Sequence, residues 1–236
     1  MSKLLKYNGH FCESEFEYAF LSFLKNGGWH YFLGNSIVRN SKTEVLCEDD
    51  QEQFLSNTNP DLMPEEVRQM IDTVRLVGAE SDFAKLHKVY VWMVNGLQFT
   101  LQNGLPRMVP LIDFESPTNN IFWAVNRFTG EYTNNRQTEK RRPDVLLFVN
   151  GMPLCVNELK NPADANATIY DAWQQINIRY WRDISLLLPY CPLACISDGV
   201  KTRLGTVRAP YEHFYAWRRV TMRIRYPHFP SKKWKP

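Results

Sequence analysis

The sequence predicts an α/β fold in which a mixed central sheet is flanked by helices. Two apolar runs, residues 145–149 and 154–156, surround an Asn-Gly pair and predict a hairpin of two central strands. After the hairpin, a helical pattern at 165–183 leads to a short apolar strand at 193–197. A strand, helix, strand unit of this kind is right-handed, and its two strands are parallel. We therefore expect an antiparallel meander continued by one parallel strand.

The composition of the 236 residues is that of an ordinary globular protein, with 44% hydrophobic and 22% charged residues. No run approaches the roughly eighteen apolar residues of a membrane helix, so we expect no membrane association and a cytoplasmic location. The net charge of +3 is uneven, because ten Lys/Arg and one Glu fall in residues 201–236. That basic end predicts a phosphate-contacting flank or an interdomain arm, or else a solvated terminus.

Residues 13–25 predict an amphipathic helix whose apolar stripe ends at a Gly-Gly pair. Glu17 lies on the same face as the apolar residues of that stripe. A carboxylate beside a buried face indicates either a metal site or a capping or ion-paired surface group. Glu13 and Glu15 are weaker candidates, because acids near a helix start suit the helix dipole.

A helical insertion is expected at residues 41–95. The segment 39–59, most of which lies within it, is polar and acidic without a clear period, which predicts a loop or an excursion of the chain. A helix is expected at 64–77, opened by a proline and two acids. Another should begin after Ser81, acting as its N-cap, and run to residue 93.

Two further strands are predicted between the insertion and the hairpin, at 97–102 and 121–128. The second leads through a glycine turn into the hydrophilic segment 133–140, which predicts a loop. The sequence contains no Gly-x-x-x-x-Gly-Lys-Ser/Thr segment, so a Walker-type nucleotide site is not expected in this chain.

The hairpin carries charges that a buried strand normally excludes. Asp144 stands at the mouth of the first run, and Glu158 and Lys160 share one face of the second. Two carboxylates and the carbonyl of Leu159 form a hard oxygen site suited to magnesium, and a nearby ammonium could hold or deprotonate a water. This pattern indicates metal-assisted phosphodiester cleavage. The alternative is a strand-end aspartate beside a surface Glu/Lys pair.

These charges lie on one face of the sheet only if the hairpin contains one residue more than regular pairing across a two-residue turn allows. A two-residue turn at Asn150-Gly151 with regular pairing would set Asp144 opposite Asn157 and turn Glu158 away. We therefore predict a three-residue loop at 149–151, with Gly151 left-handed in a bulge.

Several segments in order resemble a known family. They are LIDFESPTNN at 111–120, RPD at 142–144 with NGMPL at 150–154 and ELKNP at 158–162, and ISDG at 196–199 with GT at 205–206 and FYAW at 214–217. They are similar to the N-terminal nuclease region of the type I restriction endonuclease R (motor) subunit.

The resemblance implies a PD-(D/E)xK nuclease domain at residues 1–220 and a basic linker at 221–236 toward a motor domain absent from this chain. It also implies magnesium-dependent cleavage of double-stranded DNA. ATP would serve only the full-length enzyme, and the expected partners are modification and specificity subunits.

By the resemblance, Asp144 and Glu158 are metal ligands together with the Leu159 carbonyl, and Lys160 is the catalytic lysine. Glu17 corresponds to the acid on the first helix.

The supporting Gln-x-x-x-Tyr motif of the family is irregular here, because Gln175 and Tyr180 are five apart. Either an irregular helical turn restores the geometry or Gln175 serves alone. Asn157 and Arg127 also depart from the family pattern, which has an aliphatic residue and often a glutamine there.

Two other functions remain open on the sequence. One is a repair or recombination nuclease with the same core, and the other is a DNA-binding or assembly module without activity. Because all three hairpin positions are filled, an active enzyme is favoured, and metal-dependent cutting of plasmid DNA separates the classes.

Overall fold

A computed structural model of the chain describes residues 13–37, 39, 41, 44–77, 81–134, 137–161 and 167–216. The helices in this part are α1 (Glu13–Asn26), α2 (Glu48–Thr58), α3 (Pro64–Arg75), α4 (Asp82–Asn95), α5 (Ile169–Gln174), a π-helix (Gln175–Tyr180) and α6 (Trp181–Asp183). The strands are β1 (His30–Leu33), β2 (Leu97–Thr100), β3 (Pro106–Val109), β4 (Phe122–Asn126), β5 (Gly130–Asn134), β6 (Gln137–Arg141), β7 (Val145–Val149), β8 (Met152–Leu159), β9 (Leu193–Ser197), β10 (Thr202–Thr206) and β11 (Tyr215–Ala216). None of these helices is long and apolar enough to cross a membrane.

The central sheet has seven strands in the order β1-β4-β7-β8-β9-β10-β11. Strands β4, β7 and β8 form an antiparallel meander, and β9 joins β8 in parallel after a helical crossover. These features confirm the predicted mixed α/β sheet. The edge strands β1 and β11 and the strand β10 were not predicted, because they are short, contain no buried residue and lack a clear apolar alternation.

The two faces of the sheet are covered by different helices. On one face, Leu21 and Leu24 of α1 pack against Ala124 and Val145. On the other, the crossover helix at 169–183 buries Ile176, Tyr180 and their neighbours against the alternate residues of β7 and β8. The end of the hairpin that carries the charged residues therefore lies between two helical layers.

The expected loop at 39–59 is wrong, because α2 occupies its second half. This helix buries Phe54 and Leu55 in a separate core shared with α3, α4 and the β2-β3 ribbon. Three acids open its first turn, where they suit the helix dipole. The apolar face of α2 is too short to produce a helical period in the sequence. Its stability comes mostly from tertiary contacts.

The expected loop at 133–140 is also wrong, because β5 and β6 form a two-stranded ribbon there. Tyr132 stands opposite Glu139 and donates a hydrogen bond of 2.5 Å to its carboxylate. Glu131 and Lys140, the neighbouring pair, are 3.5 Å apart. Polar pairs across the two strands stabilise this ribbon. Its sequence therefore lacks the alternation of apolar residues by which a strand is predicted.

The predicted N-cap is confirmed, since Ser81 Oγ accepts a hydrogen bond from the N–H of Ala84 at 3.3 Å. The helix that follows is α4, and α3 begins at Pro64 as expected. The expected linker at 221–236 lies outside the described residues.

The predicted three-residue hairpin loop is wrong. Val149 pairs with Met152 across a two-residue turn, in which Asn150 and Gly151 have φ of 49° and 75°. The extra residue lies within β8 instead, because Leu147 pairs with Cys155 while Phe148 pairs with Pro153.

Leu154 is therefore a bulge residue, next to a proline that cannot donate to the ladder. Beyond the bulge Val145 pairs with Asn157, which sets Asp144 opposite Glu158. A bulge in β8, and not the hairpin loop, thus brings the charged residues onto one face of the sheet.

The hairpin turn is anchored to segment 111–120 by the buried side chain of Asn150. Its Oδ1 accepts from the N–H of Ile121 at 2.8 Å, and its Nδ2 donates to the carbonyl of Leu111 at 2.9 Å and to Asn120 Oδ1 at 2.8 Å. The turn lies at the opposite end of the hairpin from Glu158, so this contact serves the fold and not the charged cluster.

Candidate active site at the open end of the central hairpin

Asp144 and Glu158 approach each other where β7 begins and β8 ends. Asp144 Oδ2 accepts a hydrogen bond of 2.7 Å from the N–H of Leu159, which fixes the carboxylate against the strand. Glu158 is 1% exposed and lies on the face covered by the crossover helix. Two acids at this point leave a concentration of negative charge in a poorly hydrated setting.

Four side chains, one of which is Glu158, form a closed ring of hydrogen bonds. Lys160 Nζ lies 3.2 Å from Glu158 Oε1 and 2.9 Å from Gln175 Oε1. Gln175 Nε2 donates to the hydroxyl of Tyr180 at 2.7 Å, and that hydroxyl lies 3.0 Å from Glu158 Oε2. Together with Asp144 we call these residues the hairpin cluster.

The direction of each bond in the ring follows from the chemistry of the groups. An ammonium only donates, so the carbonyl oxygen of Gln175 faces Lys160 and its NH₂ group faces Tyr180. The hydroxyl of Tyr180 accepts a hydrogen bond from that NH₂ group and donates a hydrogen bond to the Glu158 carboxylate. Each donor therefore has an acceptor, which stiffens the cluster.

The five-residue spacing of Gln175 and Tyr180 is explained by a π-helix that spans these two residues. A π turn pairs residue i with i+5, so the two side chains meet on one side of the helix. Of the two alternatives left by the sequence, the irregular turn is the one that the structure contains. Both side chains reach the hairpin cluster.

Burial raises the pKa of Glu158 from 4.5 to about 8, and the negative charge of Asp144 adds to that rise. Lys160 and the hydroxyl of Tyr180 act in the opposite direction. Burial and the charge of Glu158 also raise the pKa of Tyr180 well above its usual value, so its hydroxyl keeps its proton. Near neutral pH Glu158 therefore favours its protonated form, and the remaining charges of the cluster, those of Asp144 and Lys160, are opposite in sign.

The donor set fits a hard divalent cation such as magnesium, which binds oxygen ligands and keeps several waters. The available protein oxygens are the two carboxylates and the carbonyl of Leu159. Within the described residues, no group of three or more His, Cys, Asp or Glu side chains is arranged to hold a metal. Glu17 is therefore not a third carboxylate of the Asp144 and Glu158 group in this structure.

Glu17 belongs to a separate hydrogen-bond chain at the same end of the sheet. Its Oε1 accepts from Asn126 Nδ2 at 2.5 Å, and Asn126 Oδ1 accepts from the hydroxyl of Tyr31 at 3.0 Å. Asn126 pairs with Val145, the residue after Asp144.

Sequence reasoning missed Asn126 and Tyr31. The available signal was a polar residue ending an apolar strand. The side chain of Glu13 lies outside the described part, and Glu15 is partly buried on α1.

The two departures from the family pattern have different surroundings. Asn157 is 1% exposed and faces away from the hairpin cluster, where its Nδ2 donates to the carbonyl of Val145 at 3.1 Å. Arg127 is exposed with φ of 55°, and its backbone N–H lies 3.4 Å from the carbonyl of Asp144. An amide that caps a strand carbonyl explains how a polar residue is tolerated at position 157.

The basic stretch after Lys201 is described only as far as residue 216. Arg203 lies over the ring of Tyr211 at 4.7 Å, and Arg208 over that of Trp181 at 4.9 Å. These two guanidinium groups already contact aromatic rings of the domain, while the basic residues from 218 onward lie outside the described residues.

Comparison with known proteins agrees with the resemblance in the sequence. The family described as type I restriction enzyme R protein N terminus matches residues 11–213. The HindI type I restriction enzyme endonuclease subunit of Haemophilus influenzae is 32% identical over 220 residues, which is 87% of this chain and 20% of that subunit. The EcoprrI endonuclease subunit of Escherichia coli is 25% identical over 195 residues, 81% of this chain and 57% of that protein. The chain thus spans about a fifth of the HindI subunit. It belongs to the family of type I restriction enzyme R protein N-terminal regions.

Proposed function

We propose that the chain is the magnesium-dependent DNA-cleaving domain of a type I restriction enzyme R subunit, with a PD-(D/E)xK core. The observation that carries the proposal is the hairpin cluster: two opposed carboxylates, of which the buried one, Glu158, is joined to a lysine in a complete hydrogen-bond ring. A merely structural ion pair would not need the second carboxylate. Family membership and the HindI and EcoprrI names agree with this function.

In this proposal Asp144, Glu158 and the Leu159 carbonyl hold magnesium, which supplies Lewis-acid polarisation of a phosphate oxygen and of the attacking water. Lys160 orients that water and shares the negative charge that develops on the phosphate. The water oxygen forms a bond to phosphorus and gives up one proton to bulk solvent while one bridging P–O bond breaks, and the departing oxygen takes a proton from solvent. Gln175 keeps the lysine ammonium directed at the reacting groups.

Tyr180 has a supporting part in the same mechanism. Because its hydroxyl stays protonated, it donates to Glu158 Oε2 and leaves Oε1 to face Lys160. The raised pKa of Glu158 means that most of the population carries a proton near neutral pH. A bound divalent cation favours the ionised carboxylate, so cation binding should release protons.

The wider context is also proposed from the family. Double-stranded DNA is the substrate, modification and specificity subunits are the partners, and ATP is used by a motor region elsewhere in the full-length protein. The sequence of this chain has no phosphate-binding loop for translocation. We therefore expect the chain alone to be a weak nuclease without sequence preference, holding DNA through salt-sensitive phosphate contacts.

The test is cleavage by the full-length R subunit assembled with its partners. Asp144→Ala and Lys160→Ala should abolish cutting but leave ATP-driven translocation and folding intact. Asp82→Ala and Lys85→Ala are matched controls, because this ion pair of 3.8 Å lies on α4. Wild-type cutting by either hairpin variant would overturn the assignment.

The same measurements address the alternatives. Efficient site-specific cutting by the 236-residue chain alone would favour a self-sufficient nuclease, as in repair or recombination. Absence of metal-dependent cutting in the assembled wild-type enzyme would favour a DNA-binding or assembly module.

A further inference from the structure

The β5-β6 ribbon is held next to the hairpin cluster by contacts at its base. Strand β6 ends at Arg141, three residues before the first carboxylate of the cluster. Arg141 Nε donates to Asp183 Oδ2 at 2.8 Å, and the Asp183 side chain is 2% exposed. In β5, Gly130 lies so close to Ile184 that an added Cβ would be 2.6 Å from its Cγ2. The base of the ribbon is therefore fixed against the end of the crossover helix, which also carries Tyr180 of the cluster.

Arg142 follows the base of the ribbon and precedes the buried Pro143. Its carbonyl oxygen lies 3.3 Å from the hydroxyl of Tyr180, so its backbone is placed beside the hairpin cluster. The side chain is exposed, and within the described residues its guanidinium makes no hydrogen bond or ion pair. An arginine on an anchored backbone with all its donors available is suited to bidentate contact with a phosphate.

The ribbon itself presents a polar, uncovered face. It pairs with no strand of the central sheet in the part of the chain that is described. Side chains alternate between the two faces of a strand, so Thr133, Thr138 and Lys140 lie on the face opposite to that of Arg141. All three are exposed. This face therefore offers hydroxyl and ammonium donors to a partner, and no apolar side chain.

The charge of the ribbon favours an anionic partner. Residues 130–142 contain four basic and two acidic residues, in a chain whose net charge is only +3. Both acids have partners inside the ribbon. Glu131 lies 3.5 Å from Lys140, and the two oxygens of Glu139 each accept a hydrogen bond from a ribbon side chain. Repulsion of a phosphate by these carboxylates is thereby reduced.

We propose that Arg142 and the exposed face of the ribbon contact the sugar-phosphate backbone of double-stranded DNA and place a phosphodiester at the hairpin cluster. The inference rests on the proposed nuclease function and names the surface that holds its substrate. Arginine, lysine and threonine side chains are common phosphate ligands, and such contacts position a duplex without reading its sequence. A two-stranded ribbon also fits into the major groove of DNA.

The test is binding of a short fluorescein-labelled duplex to the 236-residue chain, followed by anisotropy in EDTA from low to physiological salt. We expect Arg142→Ala to weaken binding by about tenfold at low salt. It should also reduce the slope of log affinity against log salt by about 1, as expected for one lost phosphate contact. Arg142→Lys should keep the slope and recover only part of the affinity, because it keeps the charge but loses the bidentate geometry. Lys140→Ala should have a smaller effect, since its ammonium is shared with Glu131.

Arg68→Ala is the matched control. Arg68 is an exposed arginine on α3, and it too has no hydrogen bond or ion pair among the described residues. Arg68→Ala should bind DNA with the affinity and salt slope of wild type. Thermal unfolding should show the Arg142 and Arg68 variants to be equally stable. A purely structural role of Arg142 would instead lower the unfolding temperature and leave the salt slope unchanged.

The outcomes separate this inference from the function on which it rests, because the binding assay contains no divalent metal and involves no cleavage. Wild-type affinity and salt slope in Arg142→Ala would overturn the inference and leave the proposed cleavage standing. Failure of the wild-type chain to bind the duplex at low salt would overturn it as well. Wild-type cutting by Asp144→Ala in the assembled enzyme would overturn the proposed function, whatever the binding measurement shows.

Discussion

Replacing Glu158 with glutamine should remove a large pH dependence from the stability of the chain. In the folded protein, burial and the neighbouring Asp144 raise the pKa of Glu158 from 4.5 to about 8. The protonated form is therefore favoured by folding, and the unfolded chain titrates near the lower value. The contribution of Glu158 is fully present below about pH 4.5 and is lost as the pH rises toward 8.

The size of the effect follows from the shift. Each pKa unit is worth about 1.4 kcal/mol, so a rise from 4.5 to about 8 corresponds to a stability loss of roughly 3 to 5 kcal/mol. That is a large part of the roughly 5–15 kcal/mol that stabilises a typical domain. Asp50, whose pKa is raised to about 6 by burial, acts in the same direction over a narrower range. Its contribution cancels when wild type and variant are compared.

The assay is urea unfolding followed by tryptophan fluorescence, from pH 5 to 9, in metal-free buffer. Glu158→Gln should be the more stable protein at pH 9, and its advantage should shrink toward pH 5. The amide oxygen of the new side chain can accept from Lys160, but its NH₂ group then faces the Tyr180 hydroxyl, which donates to Glu158 in the wild type. This change is the same at every pH, so it shifts the variant curve without changing its slope. Magnesium should flatten the wild-type curve only.

Glu115→Gln, a substitution of an exposed glutamate, serves as the control and should follow wild type. Parallel stability curves for wild type and Glu158→Gln would refute the reasoning, because they would show that Glu158 does not titrate abnormally in the folded chain.

Three further experiments test the bulge in β8, the π turn and the hairpin turn. Deleting Leu154, the bulge residue, should keep Glu158 opposite Asp144 and preserve cutting by the assembled enzyme. Deleting Leu154 and Val156 together should turn Glu158 to the other face and abolish cutting; equal loss in the two variants would contradict the bulge argument. Deleting Ile178, which is 50% exposed, should convert the π-helix to an α-helix and retain most cutting, and a complete loss would show that the π turn itself is required. Gly151→Ala should destabilise the chain by roughly 2–4 kcal/mol in urea unfolding, because φ is 75° and the new Cβ would lie 2.1 Å from the Cys47 carbonyl oxygen; wild-type stability would contradict this.

Local sequence signals were sufficient for much of the fold. The position of the hairpin turn at Asn150-Gly151, the apolar runs of β7 and β8, and β9 were correct, although the turn has two residues and not the predicted three. Apolar runs and turn chemistry act over a few residues, so they can be read locally. The cap at Ser81 was correct for the same reason. The charges at the open end of the hairpin, Asp144 just before β7 and Glu158 with Lys160 at the end of β8, identified the candidate site because buried strands rarely contain them.

Other features depended on contacts between distant segments. Helix α2 and the β5-β6 ribbon lack a local period, since a separate core stabilises the helix and polar pairs stabilise the ribbon. The sequence required one extra residue in the hairpin, because only then do Asp144 and Glu158 lie on the same face. Whether that residue falls in the turn or at Leu154 depended on the contacts of Asn150 with segment 111–120 and on the pairing of Pro153.

The composition of the candidate site could thus be read from the sequence, while its assembly could not. Asp144, Glu158, Lys160 and Gln175 were identifiable by residue type and order. The meeting of Gln175 with Tyr180 required a π turn packed against β8, and the placement of Glu17 beside Asn126 required a contact between residues 109 positions apart. Propensity and periodicity describe only a residue's neighbours along the chain, whereas hydrogen-bond partners across the sheet are determined when its layers pack.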